Sequence, residues 1–254
     1  MDTPYVFDIH RSSRSDGEGI RTTVFFKGCP LDCFWCHNPE GKSALPQLGF
    51  FEDKCIGCGA CKKVCERTDE CLSCFKCAEV CPESARRVWG KKYTPEELFE
   101  IIAADKLYYD LSGGGVTFSG GECMLYPEYL SEVTKLCREG GISVAVDTAG
   151  YVPYAHFETV LPYTNVFLYD VKCIDRDLHI EGTGVDNELI LENLDRLLRD
   201  GGQITVRVPV IPDFNEGEEC RRIAKYCAQR GLPVEFLPYH EFGKDKKKAL
   251  INIK

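Results

Sequence analysis

The 254-residue sequence lacks an apolar run long enough to cross a bilayer and lacks an excess of basic side chains. A transmembrane helix needs about 20 predominantly apolar residues, so we expect no membrane span. Acidic residues outnumber basic ones by 40 to 31, for a net charge of −9, which disfavours binding of duplex nucleic acid through a basic stripe. Residues 1–14 also lack the apolar core of a signal peptide, and we expect a cytoplasmic protein.

Cysteine, by contrast, is abundant. The chain has 16 cysteines, and 11 of them lie between Cys29 and Cys81. Disulfides are rare in reducing compartments, so dense cysteine in such a protein indicates metal or redox chemistry. The hydrophobic fraction of 44% is sufficient for a packed core without crosslinks.

Short β-branched and aromatic runs alternate with helical patterns along most of the chain. The predicted strands are residues 22–27, 115–118, 143–147, 166–170, 204–208 and 234–237. Four helices are predicted between them. The first begins at Thr94, where Thr94 and Glu97 have the spacing of a capping box; the second begins near Pro127, the third contains Leu194 and the fourth begins near Asn215. Strands joined by crossover helices form a parallel sheet, either open or closed into a partial barrel. Residues 51–89 break this rhythm and are predicted to form a small cysteine-rich insert.

Three cysteines directly follow the first predicted strand. Cys29, Cys33 and Cys36 are separated by three and two residues. At this spacing each thiolate can ligate one iron of a [4Fe–4S] cubane, and the fourth iron stays open for a substrate. The alternative is a structural zinc site with His37 as the fourth ligand.

Two further runs of four cysteines have the spacing typical of bacterial ferredoxins. In two-cluster ferredoxins the fourth cysteine of each run ligates the other cluster. By that resemblance the first ligand set is Cys55, Cys58, Cys61 and Cys81, and the second ligand set is Cys71, Cys74, Cys77 and Cys65. Only residues 66–70 separate the two runs, so a single cluster or a strained pair is the alternative.

The first cysteine triplet, with Trp35 before its last member, resembles the radical S-adenosylmethionine (SAM) signature. Further strings resemble glycyl-radical enzyme activating enzymes: DGEGIR at 16–21, GGGVTFSGGE at 113–122, DTAG at 147–150, DVK at 170–172 and PYHEFGK at 238–244. The resemblance implies an α/β protein with a partial (β/α)6 TIM-like barrel over residues 1–50 and 90–254. It also implies a ferredoxin-like iron–sulfur insert over residues 51–89.

The same resemblance implies a reaction. The enzyme would reductively cleave SAM to a 5′-deoxyadenosyl radical, which abstracts a hydrogen atom from a glycine of a partner glycyl-radical enzyme. We expect three [4Fe–4S] clusters, one that binds SAM and two in the insert. We also expect a monovalent cation, a flavodoxin or ferredoxin as electron donor, and a monomeric protein.

Several polar residues follow predicted strands, where parallel barrels place their chemistry. Glu122, after Gly120 and Gly121, is expected to accept the ammonium of the ligand. Lys172 is expected to pair with the ligand carboxylate or a neighbouring aspartate. Arg207, which lies within a predicted strand rather than after it, is expected to reach that carboxylate bidentately. The alternatives are an exposed loop carboxylate for Glu122 and a structural ion pair for Arg207.

The remaining roles come from the resemblance. Asp147, followed by Thr148, and Asp170 would hold the cation or the methionyl end of SAM; their alternative role is helix capping. His240 would lie near the ribose and adenine, and Trp35 would pack on the adenine or cover the cluster. A separate pair, Asp16 and Arg21, would border the glycine loop of the partner.

Two other functions are consistent with parts of the sequence. A radical SAM enzyme acting on a small molecule shares the cysteine triplet, but the strings at 16–21 and 170–172 weigh against it. A ferredoxin-like electron carrier would use the insert alone and leaves the triplet unexplained. Within the leading hypothesis, the insert either relays electrons or serves as a docking or structural element.

Overall fold

A computed structural model of the chain describes residues 2–65, 71, 73–239 and 242–250. Its strands, numbered in chain order, are β1 Tyr5–Ser13, β2 Arg21–Phe26, β3 Gln47–Phe50, β4 Arg86–Trp89, β5 Lys91–Lys92, β6 Gly115–Gly120, β7 Ser143–Thr148, β8 Val166–Asp170, β9 Ile204–Val210 and β10 Val234–Pro238. The helices are α1 Ala60–Val64, α2 Lys76–Glu79, α3 Pro95–Ala103, α4 Lys106–Ser112, α5 Pro127–Glu139, α6 Tyr154–Val160, α7 Arg176–Thr183, α8 Glu188–Arg199, α9 Glu218–Ala228 and α10 Phe242–Ala249.

Six strands form the parallel part of the main sheet. Their spatial order is β10, β9, β8, β7, β6, β2, and every neighbouring pair among them is parallel. These are the six predicted strands, and helices connect β6 to β7 and each later strand to the next. The predicted α/β class with a partial (β/α)6 TIM-like barrel is therefore confirmed.

Two strands extend this sheet beyond the prediction. β1 pairs antiparallel with β2, and β5 pairs antiparallel with β1. β1 was not predicted, because its second half, from His10, is polar and mostly exposed and the segment shows no apolar run of strand length. An antiparallel neighbour can face solvent on one side, which is why this composition is tolerated there.

The helix that follows β9 starts later than predicted. It begins at Glu218 after Gly217, whose φ is 74°, and not at Asn215. The Asn215 side chain instead accepts a hydrogen bond from the backbone N–H of Ile211 at 2.7 Å and donates to the carbonyl of Lys172 at 2.8 Å. Asn215 thus ties the loop after β9 to the loop after β8.

The predicted capping box is present at the start of α3. The Thr94 hydroxyl accepts a hydrogen bond from the backbone N–H of Glu97 at 3.2 Å, and the Glu97 carboxylate accepts one from the Thr94 N–H at 2.9 Å. Both bonds satisfy N–H groups that a helix start leaves without partners. None of the helices in the described part of the chain is long and apolar enough to cross a membrane.

The cysteine-rich segment is held at its base by a two-stranded antiparallel sheet. β3 pairs with β4, with Phe50 opposite Arg86 and Gln47 opposite Trp89. No strand was predicted within residues 51–89, yet β4 lies inside that range. β4 has only four residues, two arginines followed by two apolar side chains, so it shows no strand period and its pairing with β3 becomes evident only in the tertiary structure.

Aromatic side chains fill the core between the sheet and its helices. Phe157 of α6 is fully buried, and its ring centroid lies 5.9 Å from that of Phe167 and 6.1 Å from that of Tyr169. Both partner residues belong to β8, which carries Asp170 at its carboxyl end. The core contact therefore supports the strand that enters the site described below.

We predict that Phe157→Ala lowers the free energy of unfolding by about 3–5 kcal/mol, the usual cost of deleting a buried phenylalanine ring. Urea unfolding followed by circular dichroism measures the change. Leu111→Ala is the matched control, because Leu111 is 79% exposed, and its effect should stay within about 0.5 kcal/mol. Equal losses in the two variants would contradict a core packed around Phe157.

Candidate active site

A cavity of about 260 Å³ opens at the carboxyl edge of the parallel strands. The predicted site residues that line it are Asp16, Cys29, Cys33, Trp35, Cys36, Gly120, Gly121, Asp147, Thr148, Asp170, Lys172 and Arg207. Glu122 and Arg21 do not line the cavity, and His240 lies outside the described residues. The sheet thus gathers in one place side chains that are up to 191 positions apart in the sequence, from Asp16 to Arg207.

The cysteine loop after β2 is held by the chain segment that returns past it. The Gly41 carbonyl accepts a hydrogen bond from the Gly28 N–H at 2.7 Å, and the Lys42 carbonyl accepts one from the Cys29 N–H at 3.1 Å. The Lys42 ammonium also donates to the Cys33 carbonyl at 3.1 Å. These bonds fix the loop backbone at Cys29 and at Cys33.

The three thiols of this loop face the cavity and take part in no disulfide. Burial raises the pKa of Cys29 to about 12 and that of Cys33 to about 11, so iron binding would release protons. Within the described residues no group of three or more His, Cys, Asp or Glu side chains is arranged to hold one metal ion. A cubane differs in that each thiolate binds an iron at a separate corner, and three thiols around an open cavity fit that group.

His37, the fourth ligand of the zinc alternative, also lines this cavity. Its ring lies against that of Tyr239, with the centroids 5.8 Å apart. Trp35 is buried between the rings of Phe34 and Phe214, each 4.7 Å away by centroid. Aromatic side chains therefore pack beside the cysteine loop.

Asp147 and Arg207 form a charged pair on the cavity wall. The Asp147 carboxylate accepts a hydrogen bond from the Ser119 hydroxyl at 2.6 Å and lies 3.6 Å from the Arg207 guanidinium. Arg207 also donates to the carbonyl of Ser15 at 3.0 Å. Its Nε is buried and has no hydrogen-bond partner within the described residues. An unpaired buried donor on a cavity wall is suited to an anionic ligand group.

Asp170 and Lys172 form the second charged pair, on the neighbouring strand end. The Lys172 ammonium donates to the Asp170 carboxylate at 2.7 Å. Burial lowers the pKa of Lys172, but attraction to Asp170 and the Cys33 thiol outweighs it, and the net pKa is raised. Because β7 and β8 are neighbours, Asp147 and Asp170 lie close together. Burial raises the pKa of Asp147 above its ordinary value, Arg207 opposes this, and repulsion from Asp170 adds to the rise.

The Glu122 carboxylate points into the protein rather than into the cavity. It accepts hydrogen bonds from the Met124 N–H at 3.0 Å, the Thr148 hydroxyl at 2.8 Å and the Ala149 N–H at 2.8 Å. Burial raises its pKa to about 7. The alternative of an exposed loop carboxylate is wrong, since Glu122 is only 1% exposed. Its side chain joins the loop after β6 to the loop after β7.

Gly120 and Gly121 are required where three backbone segments meet. A Cβ on Gly121 would lie 2.2 Å from the Gly28 carbonyl oxygen and 2.5 Å from that of Gly41. A Cβ on Gly120, whose φ is +120°, would lie 2.3 Å from the backbone of Phe26. No side chain fits at either position, so the backbone itself forms this part of the cavity wall.

The two residues expected to contact a partner occupy different environments. Asp16 lines the cavity, and its carboxylate accepts hydrogen bonds from the hydroxyls of Ser13 and Thr23, each at 2.6 Å. Arg21 is only 2% exposed and donates to the Thr117 hydroxyl at 2.7 Å. It begins β2, so it lies at the amino end of the sheet. This position does not support a direct contact with a partner.

In the insert, the first ligand set comes together around one small cavity. Cys55, Cys58 and Cys61 line it with Cys81, the last cysteine of the second run. Residues 66–70, which connect the two runs, lie outside the described residues. The arrangement thus brings the fourth cysteine of one run to the first three of the other.

Ser119 and Lys42 belong to the site but were not identified from the sequence. Ser119 orients Asp147, and Lys42 anchors the cysteine loop. Ser119 directly precedes the Gly120–Gly121 pair, and a polar residue near the end of a buried strand was the available signal. Lys42 had no comparable signal, because its contact depends on the chain returning past the loop.

Comparison with known proteins agrees with this geometry. The model of the Radical SAM superfamily matches residues 23–227. The trans-4-hydroxy-L-proline dehydratase activating enzyme of Clostridioides difficile is 42% identical over 96% of this chain and 86% of its own length. The choline trimethylamine-lyase activating enzyme of Oleidesulfovibrio alaskensis is 40% identical over the same shares.

The structure of Streptococcus suis SuiB bound to the precursor peptide SuiA shares the fold, with a TM-score of 0.57 at 14% identity. The match covers 89% of this chain and 40% of SuiB. A radical SAM family match over most of the chain implies a [4Fe–4S] cluster and SAM as cofactors. The chain belongs to the radical SAM superfamily and, within it, to the activating enzymes of glycyl-radical enzymes.

Proposed function

We propose that this chain installs a glycyl radical in a partner enzyme, using SAM bound at the cavity described above. Cys29, Cys33 and Cys36 would hold a [4Fe–4S] cluster and leave one iron for SAM. When bound, the cluster supplies the electron that cleaves SAM to methionine and a 5′-deoxyadenosyl radical, which takes a hydrogen atom from a glycine Cα of the partner. The observation that carries the proposal is that three free thiols share one cavity wall with two buried ion pairs.

The ion pairs suit the methionyl end of SAM, which carries one ammonium and one carboxylate. The unpaired Nε of Arg207 and the Lys172 ammonium are the donors available to the carboxylate. Asp147 and Asp170 offer oxygen ligands for a monovalent cation, whereas the Thr148 hydroxyl is already bonded to Glu122 and Gly150. Each aspartate is already oriented, by Ser119 and Lys172 respectively, so binding requires little rearrangement.

The sequence predicted that Glu122 accepts the ligand ammonium. In the structure the glycine pair would accept it, and Glu122 would hold the glycine pair in place. Backbone carbonyls of Gly120 and Gly121 are the acceptors that can approach the ligand ammonium, because no Cβ intervenes. Glu122 would act through them, since its carboxylate holds this loop against Thr148 and Ala149. Trp35 would cover the cluster, and the contact of His240 with the ribose and adenine stays a prediction.

The partner is a glycyl-radical enzyme, which follows from the family. Asp16, on the cavity rim, is the residue of the 16–21 string best placed to border its glycine loop. Arg21 would act indirectly, since it supports that string by donating to the Glu18 carbonyl at 3.3 Å. Residues 1–50 and 90–254 would form the catalytic barrel of a monomeric protein.

The insert, residues 51–89, would carry two further clusters and pass electrons inward from a flavodoxin or ferredoxin. The crossed pairing is supported by the shared cavity of the first ligand set. Cys71 and Cys77 of the second ligand set are near enough to interact electrostatically. Exposure of Cys55, Cys58, Cys71 and Cys74 places the insert thiols where a donor protein could reach the clusters.

The first test mixes reconstituted protein, SAM and a reductant with candidate glycyl-radical enzymes, such as those of the two relatives. We expect 5′-deoxyadenosine and a glycyl doublet in the electron paramagnetic resonance (EPR) spectrum of one partner. Cys33→Ala should give neither, because the cluster loses one of three protein ligands. Cys220→Ser, a control at a cysteine remote from the cavity lining, should retain both products. Normal turnover by Cys33→Ala would overturn the cluster assignment.

We predict that Asp147→Asn raises the KM for SAM about tenfold, equivalent to ~1.4 kcal/mol of binding, with a smaller effect on kcat. The amide removes the charge that would bind the cation and balance Arg207. Initial rates of 5′-deoxyadenosine formation at several potassium concentrations measure this. Asp110→Asn, on an exposed carboxylate of α4, is the control. An unchanged KM and potassium response in Asp147→Asn would exclude Asp147 from the cation site.

Reconstituted protein should contain about twelve irons per chain, as three cubanes require. The double variant Cys55→Ser, Cys58→Ser should lose about four of them. It should still cleave SAM with a strong chemical reductant but respond weakly to reduced flavodoxin. Loss of activity with both reductants would make the insert structural, and about eight irons in the unmodified protein would leave the insert only one cluster.

A further inference from the structure

Arg86 follows the second run of insert cysteines and is the first residue of β4. It pairs with Phe50 across the small sheet, and its guanidinium lies over the Phe50 ring, 5.1 Å from the centroid. The side chain is half-buried and lines the cavity that contains the first ligand set. Its position is therefore set by packing against β3 rather than by solvent.

The Arg86 side chain lies near thiols of both ligand sets. It lines the cavity that Cys61 and Cys81 of the first set also line. Its guanidinium is near enough to Cys61 and to Cys77, a member of the second set, to interact with both electrostatically. One charged side chain is thus shared by the two sets.

The geometry of arginine suits a shared role. Its guanidinium is planar, always charged and carries five donors in a fixed fork, so it can donate to two sulfurs on different sides at once. Nε of Arg86 is buried without a hydrogen-bond partner in the described part of the chain, and this leaves one donor for a cluster sulfide. By comparison, Lys62 and Lys63 follow Cys61 in the sequence, but both side chains are exposed.

A cation at this position changes the energetics of reduction. Each cubane accepts one electron from an external reductant, so the cluster with its four thiolates gains one negative charge. A nearby positive charge stabilises the reduced form, and hydrogen bonds to the sulfurs act in the same direction as determinants of the potential. Removing the cation should therefore lower the reduction potential.

We propose that Arg86 is a positioning residue shared by the two insert clusters, which it holds side by side while raising the reduction potentials of both. The inference rests on the proposed two-cluster insert. It adds a residue that couples the clusters without ligating either, and it explains how a five-residue spacer can be compatible with a pair. A positive charge between the two clusters also offsets the repulsion that arises when both are reduced.

The test is an EPR-monitored redox titration of reconstituted full-length protein. Arg86→Met removes the charge and the donors but keeps an apolar stem against Phe50. We expect both insert clusters to shift to lower potential, with at least a tenfold change in the reduced-to-oxidised ratio at a fixed potential, which is 59 mV for a one-electron couple. Arg86→Lys, which keeps the charge but not the fork, should shift less.

Two controls separate a shared contact from a general charge effect. Lys63→Gln removes one positive charge from an exposed position beside the same thiols, and it should shift the potentials much less. The cluster whose EPR signal changes when SAM is added should keep its potential in every variant. SAM cleavage driven by a strong chemical reductant should also be unchanged in Arg86→Met.

Unchanged insert potentials in Arg86→Met, or a shift confined to one insert cluster, would overturn the proposal. If Arg86→Met loads fewer irons, the same titration is made on Arg86→Gln, which retains a donor without the charge. Unchanged insert potentials in that variant would overturn the proposal. A count of about eight irons in the unmodified protein would instead refute the two-cluster insert itself. The iron count thus distinguishes failure of the proposed function from failure of the role of Arg86.

Discussion

Direct backbone contact between the loops after β2 and β6 is the constraint on which the site depends. Gly121 lies so close to the carbonyls of Gly28 and Gly41 that a single methyl group would collide with both. The Glu122 N–H donates to the Gly28 carbonyl at 2.7 Å, which locks the two loops in register. Because the cysteine loop begins at Gly28, its orientation toward the cavity follows from this contact.

Electrostatic balance is the second property of the cavity. Asp147, Asp170 and Lys172, near the carboxyl ends of β7 and β8, are brought together with Arg207 from the middle of β9. Burial would penalise any one charge left alone. Each carboxylate has a cation beside it, so none of the four charges is left unpaired in the cavity wall. The same pairing leaves donors and acceptors in place for a ligand that itself carries both charges.

The insert is held together by different interactions from those of the barrel. Its helices α1 and α2 have one turn each and no buried residues, so packing contributes little to holding them. The small sheet of β3 and β4 fixes its base, and the cysteine ligands would have to organise the rest on binding iron, since metal ligation supplies folding free energy. The insert is thus attached to the barrel through this backbone pairing and through Trp89 of β4, which packs in a buried cluster with Phe7 and Phe25.

Several features could be predicted from the sequence because they depend on local patterns. The six parallel strands, the capping box at Thr94 and the cysteine spacings each arise from residues within a few positions of one another, where periodicity and ligand spacing are direct signals. The grouping of Asp147, Asp170 and Lys172 was also predictable, since consecutive strands of a parallel sheet end at one edge.

The tertiary structure decided the features that depend on chain segments distant in sequence. Strand β1 pairs only because β2 offers it an edge, Lys42 reaches Cys33 only because the chain returns past the cysteine loop, and Glu122 turns inward because Thr148 and Ala149 supply its hydrogen bonds. Local sequence accounts for which chemical groups are present and for the strand on or after which each one lies. Which of them face the cavity was determined by long-range packing and hydrogen bonding, because a buried polar group must find its partner wherever the fold provides one.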